Sequence, residues 1–161
     1  MDFQIRPIQK EDITAIVDLS LLAWEPVFQS FEQVLGPKIF SHIYPDWRKT
    51  QAEVVEKYCQ PEEGRTILVA EVAVNVAGFL VYELREKEKT GEVILLAVHP
   101  DYQKGGIATA LNKTALQAMK TAGMQLAEVG TGGDEGHAPA RRAYEKVGYI
   151  PLPIVRYYQN L

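Results

Sequence analysis

Cysteine is nearly absent: Cys59 stands alone in 161 residues. A single thiol excludes an internal disulfide framework and suits a reducing compartment. Positive charge is also short, with 17 Lys and Arg against 21 Asp and Glu, a net charge of −4. A nucleic-acid surface needs the opposite balance, so no nucleic acid is expected as a partner. No apolar run approaches the roughly 18–20 residues that a bilayer span requires, so no membrane association is expected. The start of the chain is neither basic nor strongly apolar, since Asp2 and Gln4 interrupt it, so it does not read as a secretory signal. The three histidines, His42, His99 and His137, lack metal-ligand spacing, and no metal is expected. Repeats, low-complexity tracts and linkers are missing too. What is there is an ordinary globular composition, 47% hydrophobic and 24% charged. It predicts one cytoplasmic domain over residues 1–161, large enough to bury a core.

Hydrophobic periodicity supplies the order of elements. Residues 3–7 read as a strand. Glu11 and Asp12 open a helix whose apolar positions Ile13, Ile16, Val17 and Leu21 recur with helical spacing, and Pro26 is expected to limit it. Residues 27–60 are helical in character and rich in aromatics, with breaks at Gly36-Pro37 and at Pro45. Residues 66–72, 76–85 and 92–98 read as three strands. The last is almost wholly apolar, as expected for a strand covered on both faces. A helix follows Gly106 and stops at Gly123; then come a strand at 125–129, a glycine-rich acidic loop at 130–136, a helix from Pro139 to Gly148, and a closing strand at 154–159. The fold class is therefore mixed α/β, in one domain.

Within that order one run is chemically pointed. Gln103-Lys104-Gly105-Gly106-Ile107-Ala108 sits between an apolar strand and a helix. The first N–H groups of a helix lack intrahelical partners and carry partial positive charge, so this junction can hold an anion. Glycine at 105 and 106 leaves the approach clear. The loop around Gly130 is not a second phosphate loop: no Lys-Ser/Thr pair follows it, and Gly-x-Gly-x-x-Gly fails at Glu135.

Gln103-x-x-Gly106-x-Ala108 resembles the Q/R-x-x-G-x-G/A motif of the GCN5-related N-acetyltransferase (GNAT) family. Ile5-Arg6-Pro7 before Asp12, Val98-His99-Pro100 before the motif, and Ala140-Arg141-Arg142-Ala143-Tyr144-Glu145-Lys146-Val147-Gly148-Tyr149 are similar to further segments of it, in the right order over nearly the whole chain. The resemblance implies a twisted mixed sheet splayed between its fourth and fifth strands, with flanking helices. It also implies acetyl-coenzyme A as cosubstrate and direct transfer of acetyl to a primary amine. It places pantetheine contacts on Leu96, Ala97 and Val98. It places pyrophosphate contacts on the backbone of Gln103, Lys104, Gly105, Gly106, Ile107 and Ala108, with the Thr109 hydroxyl nearby.

Such a transfer needs a deprotonated amine, a polarised carbonyl and a proton for the departing thiolate. By resemblance Tyr144 is the general acid and Glu92, at the head of the apolar strand, the general base; a packed helix tyrosine and a solvated strand-end carboxylate are the competing readings. The family often has asparagine in contact with coenzyme A seven residues before the tyrosine. Here the residue is His137, which can replace that contact, act as a base, or cap the helix. Asp134 and Glu135 are candidates to attract a cationic acceptor, against the plainer reading of a polar turn. The expected acceptor is a small-molecule amine. A peptide or protein amine, and a non-catalytic acyl-coenzyme A-binding domain, are the alternatives. Cys59 reads as a packed thiol. The resemblance also allows a homodimer; no seam is visible in the sequence, though the closing strand at 154–159 and its apolar flank could contribute to one.

Overall fold

Residues 65–98 carry three consecutive strands whose side chains alternate between two cores. The computed structural model describes residues 2–161. Strand β1 (Gln4–Pro7) is followed by helices α1 (Asp12–Ile43) and α2 (Trp47–Tyr58). Then come β2 (Arg65–Val72), β3 (Asn75–Arg85), β4 (Thr90–Val98), α3 (Ile107–Thr121), β5 (Leu126–Val129) and α4 (Ala138–Lys146). The sheet order is β1-β2-β3-β4-β5, antiparallel except for the parallel β4–β5 pair.

In β2, Leu68 and Ala70 join Leu80, Ile107, Leu111, Ala115 and Met119 under α3. Ile67 and Val69, one residue out of phase, join Ile16, Leu19, Val55, Cys59 and Phe79 under α1 and α2. The period-2 geometry of a strand sends neighbours to opposite faces, and helices cover both faces, so the strand reads as one apolar run. Cys59 is buried in the second core, which pushes its thiol up to about 11. It is a packing residue.

Two local features shape β4. Val81 opposes Leu95 and Tyr82 opposes Val93, so Ile94 is an extra residue without a partner on β3. Ile94 and Leu95 both pack on the α1/α2 core, as a β-bulge requires. The β5 ladder then ends at Val93–Val129, while β4 runs on to Val98. Past that point the sheet is splayed, as the resemblance implies.

Two expectations fail. Pro26 does not end the first helix: α1 continues to Ile43 with Pro26 inside it. A proline forfeits one backbone bond, but Val27 and Phe28 immediately after it are buried, and that packing holds the helical course. The real interruption is Gly36, at φ 74° and ψ 159°, before Pro37. A residue preceding proline is driven out of the helical region, and glycine alone accepts this φ freely. The closing strand at 154–159 is also absent: residues 149–161 carry no strand or helix. Pro151 and Pro153 remove two backbone donors there, and Ile150, Leu152, Ile154, Val155 and Tyr157 are all exposed. Among the described residues, no helix is long and apolar enough to cross a membrane.

An ion cluster fastens the N-terminal strand. Arg6 reaches Asp12 at 2.7 Å and Glu71 at 2.7 Å, joining β1, the start of α1 and β2. The hydrogen bond from Arg6 holds the buried Asp12 carboxyl below the usual range, against its desolvation. Such a contribution is complete above the unfolded carboxylate pKa of about 3.9 and is lost as pH falls toward the lower folded value. Asp12→Asn is expected to cost about 2 kcal/mol at neutral pH, or about 6 °C in Tm. Thermal melts of both proteins should converge as pH drops below that range. A gap that stays constant with pH would exclude this linkage.

Candidate active site

The candidate site lies at the carboxyl ends of β4 and β5, where the pairing of two parallel strands stops. A crevice outside the ends of parallel strands is the usual ligand position in such sheets. Beyond Val93 the β5 side of β4 has no strand partner, and Ile94, Leu95 and Leu96 are only half-buried. Ala97 and Val98 are buried. A ligand that carries amides can take up the free edge.

The turn after β4 is built from backbone. His99 Nδ1 accepts from Asp101 N at 3.2 Å, and Gln103 Nε2 donates to Val98 O at 3.2 Å. His99 and the Gln103 side chain are thus structural ties. Lys104 (φ 63°) and Gly106 (φ 86°) both adopt left-handed backbone. The N-cap of α3 is Gly106, which offers no side chain to the first helical N–H groups. Those donors, on Ile107, Ala108 and Thr109, remain for an incoming anion. The Ile107 side chain is buried under the sheet. Gly78 on β3 makes this possible: a Cβ there would lie 2.9 Å from Ala97 O and 3.1 Å from Ile107 Cγ2. The end of α3 therefore sits directly on the sheet, against the last residues of β4. Gly105 is half-buried and Lys104 exposed in the same turn. This arrangement fits a pyrophosphate.

Tyr144 stands on α4 and is 8% exposed. Burial, with Tyr149 beside it, pushes its phenol well above the ordinary value, so it is a neutral O–H at working pH. Gly148 ends α4 at φ 100°, and Tyr149 folds back with its ring 5.8 Å from that of Tyr144, edge to face. Burial also raises the Tyr149 phenol, whose oxygen has no hydrogen-bond partner.

Glu92 sits on the first half of β4, before the splay, opposite Glu128 on β5. Arg85 binds Glu92 at 2.9 Å and also pairs with Glu128.

The loop 130–137 is a fixed structure. Asp134 Oδ1 lies 2.6 Å from His137 Nδ1, and its Oδ2 accepts from Gly136 N at 3.0 Å. Gly136 N also donates to Ser30 Oγ on α1 at 3.1 Å. Arg141 Nη1 donates to Gly132 O at 2.7 Å and Asp134 O at 2.6 Å. Burial alone would raise the Asp134 carboxyl, yet hydrogen bonds from Ser30 and His137 hold it below the ordinary value. Its side chain is 9% exposed and turned to His137, whereas Glu135 is exposed. Two glycines exist for close approach. A Cβ at Gly136 would lie 2.8 Å from Ser30 Cβ and 2.9 Å from Val27 Cα, and one at Gly132 would strike the Asp134–His137 pair.

The structure also sorts the aromatics. Trp24 packs on Phe79 in the core. Phe28 stacks on Trp47 at 4.2 Å, Phe31 stacks on Tyr44 at 5.6 Å, and the His137 ring lies 5.3 Å from Phe31. The far end of α1 and the start of α2 thus form an aromatic wall that meets the loop. Ser30 has no motif around it in the sequence, and Arg141 lies in the Tyr144 segment without any sign there that it ties the loop; only folding reveals their part. The buried Asn112 on α3, which donates to Ala108 O at 2.9 Å, is another residue the periodicity passes over.

Residues 28–149 match the Acetyltransferase (GNAT) family. The chain belongs to this family. A mycothiol acetyltransferase of Streptomyces coelicolor is 27% identical over 112 residues, which are 69% of this chain and 36% of that protein. The chain thus spans about a third of the length of that relative. Among solved structures, the PaiA N-acetyltransferase of Thermoplasma acidophilum, in complex with coenzyme A, has a TM-score of 0.69 and 16% identity, over 91% of this chain and 89% of that one. An aminoglycoside acetyltransferase from an uncultured soil metagenomic sample, in complex with sisomicin, has a TM-score of 0.60 and 20% identity, over 99% and 96%.

Within the GNAT fold the close contact at Gly78 makes a direct prediction. Gly78→Ala must push Ile107 or the β4 backbone aside. It is expected to weaken coenzyme A binding about 10-fold, equivalent to 1.4 kcal/mol, while circular dichroism stays native. Calorimetric titration checks this. Unchanged affinity would show that the loop does not depend on that approach.

Proposed function

We propose that the chain is an acetyl-coenzyme A-dependent N-acetyltransferase that acetylates a primary amine of a small molecule. One observation carries the reading: an open strand edge on β4 runs into an uncapped α3 N-terminus, with a buried phenol on α4. An extended, amide-bearing chain that ends in a pyrophosphate has the shape and chemistry for that edge and that helix end. Family membership supports acetyl as the group moved. Aminoglycoside and mycothiol, in the names of two similar proteins, support a small acceptor over a peptide.

In this reading Gln103, Lys104, Gly105, Gly106, Ile107 and Ala108 hold the pyrophosphate through backbone N–H groups, with Thr109 adjoining. Leu96, Ala97 and Val98 present the free edge to the pantetheine arm. The bound cosubstrate supplies an activated thioester carbonyl. Backbone N–H groups of the splayed strand lower the energy of charge that develops on the carbonyl oxygen. Tyr144 Oη gives a proton to the departing sulfur, a role for which a desolvated, un-ionised phenol is suited. The aromatic wall of Phe31 and Tyr44 bounds the acceptor side, and the exposed Glu135 offers negative charge to a cationic acceptor. The buried Asp134 contributes through His137. Reaction in a reducing cytoplasm accords with the lone, buried thiol.

The test is release of free thiol from acetyl-coenzyme A over a panel of thiol-free primary amines that includes aminoglycosides and polyamines. Turnover with at least one small amine is expected. Saturable binding of acetyl-coenzyme A without turnover on any amine would replace the enzyme with a binding domain. Tyr144→Phe is expected to lower kcat about 100-fold and to leave coenzyme A affinity within about twofold.

A further inference from the structure

An amine that arrives as ammonium must lose a proton before its nitrogen can attack. Glu92 is the carboxylate on β4, but its Oε2 is engaged by Arg85 at 2.9 Å, and it lies on the paired half of the strand. A different base is built into the other wall. His137 occupies the N-cap position of α4, yet its side chain makes no capping bond. Its Nδ1 is bound to Asp134 Oδ1 at 2.6 Å. An ionised carboxylate can only accept, so Nδ1 carries the hydrogen, and in the neutral ring Nε2 is then the nitrogen with the lone pair. The carboxylate is itself locked by Gly136 N and Ser30, and the loop backbone by Arg141. The His137 side chain is 15% exposed, with its ring against Phe31. It therefore faces the α1/α2 side of the sheet, opposite the side covered by α3. It precedes Tyr144 by about two turns of one helix, so the two residues lie on the same face, about 10 Å apart along the axis.

We propose that His137, oriented by Asp134, removes the proton from the acceptor ammonium. The assignment rests on the acetyltransferase reading and deepens it. Nε2 takes one proton, and the imidazolium is held by the Asp134 carboxylate. The freed nitrogen lone pair forms the new C–N bond as the C–S bond breaks. The sulfur receives a proton from Tyr144, which recovers one from the substituted nitrogen through solvent. The imidazolium then returns its proton to water. No oxidant, metal or covalent enzyme intermediate is required. His137 is the catalytic residue in this step, and Asp134 is a positioning residue. The other titratable or charged groups around the pair are Glu135 in the same turn, Tyr44 at the C-cap of α1 and Arg141 on α4. Arg156 and Tyr158 of the C-terminal arm also belong to this set, since their charges reach Tyr44. None of these occupies Nε2 with a hydrogen bond among the described residues.

The experiment is a pH profile of kcat/KM on the full chain, with acetyl-coenzyme A and the best amine of the panel, read by thiol release. His137→Gln is expected to lower kcat/KM about 100-fold and to abolish the acidic limb seen in the wild type, with coenzyme A affinity and Tm retained. Added imidazole should restore part of the rate to His137→Ala. Asp134→Asn should lower the rate about 10-fold and displace the acidic limb, while Glu92→Gln keeps it in place. A second readout does not need turnover. The Nδ1–H proton of His137 should be observed by NMR in the wild type, and it should vanish in Asp134→Asn. If His137→Gln does not fold, the smaller His137→Asn and the NMR signal carry the test. A His137 variant with the wild-type acidic limb, a limb lost only in Glu92→Gln, or a missing Nδ1–H signal would overturn the assignment and leave the acetyltransferase reading intact. A wild-type protein inert to every amine would overturn both.

Discussion

The site depends on half of one strand having only one neighbour. Backbone N–H and C=O groups that leave water need partners, and a central strand normally finds them on both sides. On β4 this holds only as far as Val93. The bulge at Ile94 adds a residue that β3 cannot match, and the strand bends where β5 stops following it. From there to Val98, β4 is bonded to β3 alone. The unfilled edge, the adjacent half-buried apolar side chains and the helix end beyond them belong to one geometric event, the separation of two parallel strands.

Close approach without side chains assembles the rest. Gly78 brings the end of α3 onto the sheet, Gly91 makes room for the Met119 side chain beneath the same helix, and Gly136 lets the loop lie on α1 at Ser30 and Val27. Each glycine exchanges a possible side-chain contact for a closer approach of the neighbouring element. Protein cores are packed tightly enough that one added carbon at such points makes a neighbour move. Polar groups then fix the orientation: Arg141 closes the loop through two carbonyls, and Asp134 fixes a single imidazole nitrogen. The two sides of the candidate site differ accordingly. The α3 wall is backbone and partial positive charge. The α1/α2 wall is aromatic, with one oriented imidazole.

Much of this was legible before any coordinates. Strands β2, β3 and β4 were visible as apolar runs bounded by turn residues, because burial on both faces leaves little room for polar side chains. The loop at Gln103–Ala108 was visible because glycine there answers a local demand, a left-handed turn into a helix. The break at Gly36-Pro37 was visible for the same local reason. Pro26 misled, because its cost is one bond and the packing of Val27 and Phe28 outweighs it from outside the segment. The closing strand misled because alternation of apolar residues reports only a capacity to pair, and residues 149–161 have no partner strand. The network of Ser30, Asp134, Gly136, His137 and Arg141 was invisible as a unit. Its members are up to 111 positions apart, by the numbering, and each alone is an ordinary surface residue type.

By itself the sequence determined the local terms: which segments could be strands or helices, where the chain must turn, and where a helix would start without a side-chain cap. Those depend on φ, on hydrogen-bond donors and on periodicity, all of which act within a few residues. Only the tertiary structure decided where β4 loses its second partner, which aromatics pack on the sheet and which beside the 130–137 loop, and that Asp134 faces His137 when its neighbour Glu135 faces water. These choices are set by steric fit between elements distant in the chain, and no short-range rule contains them.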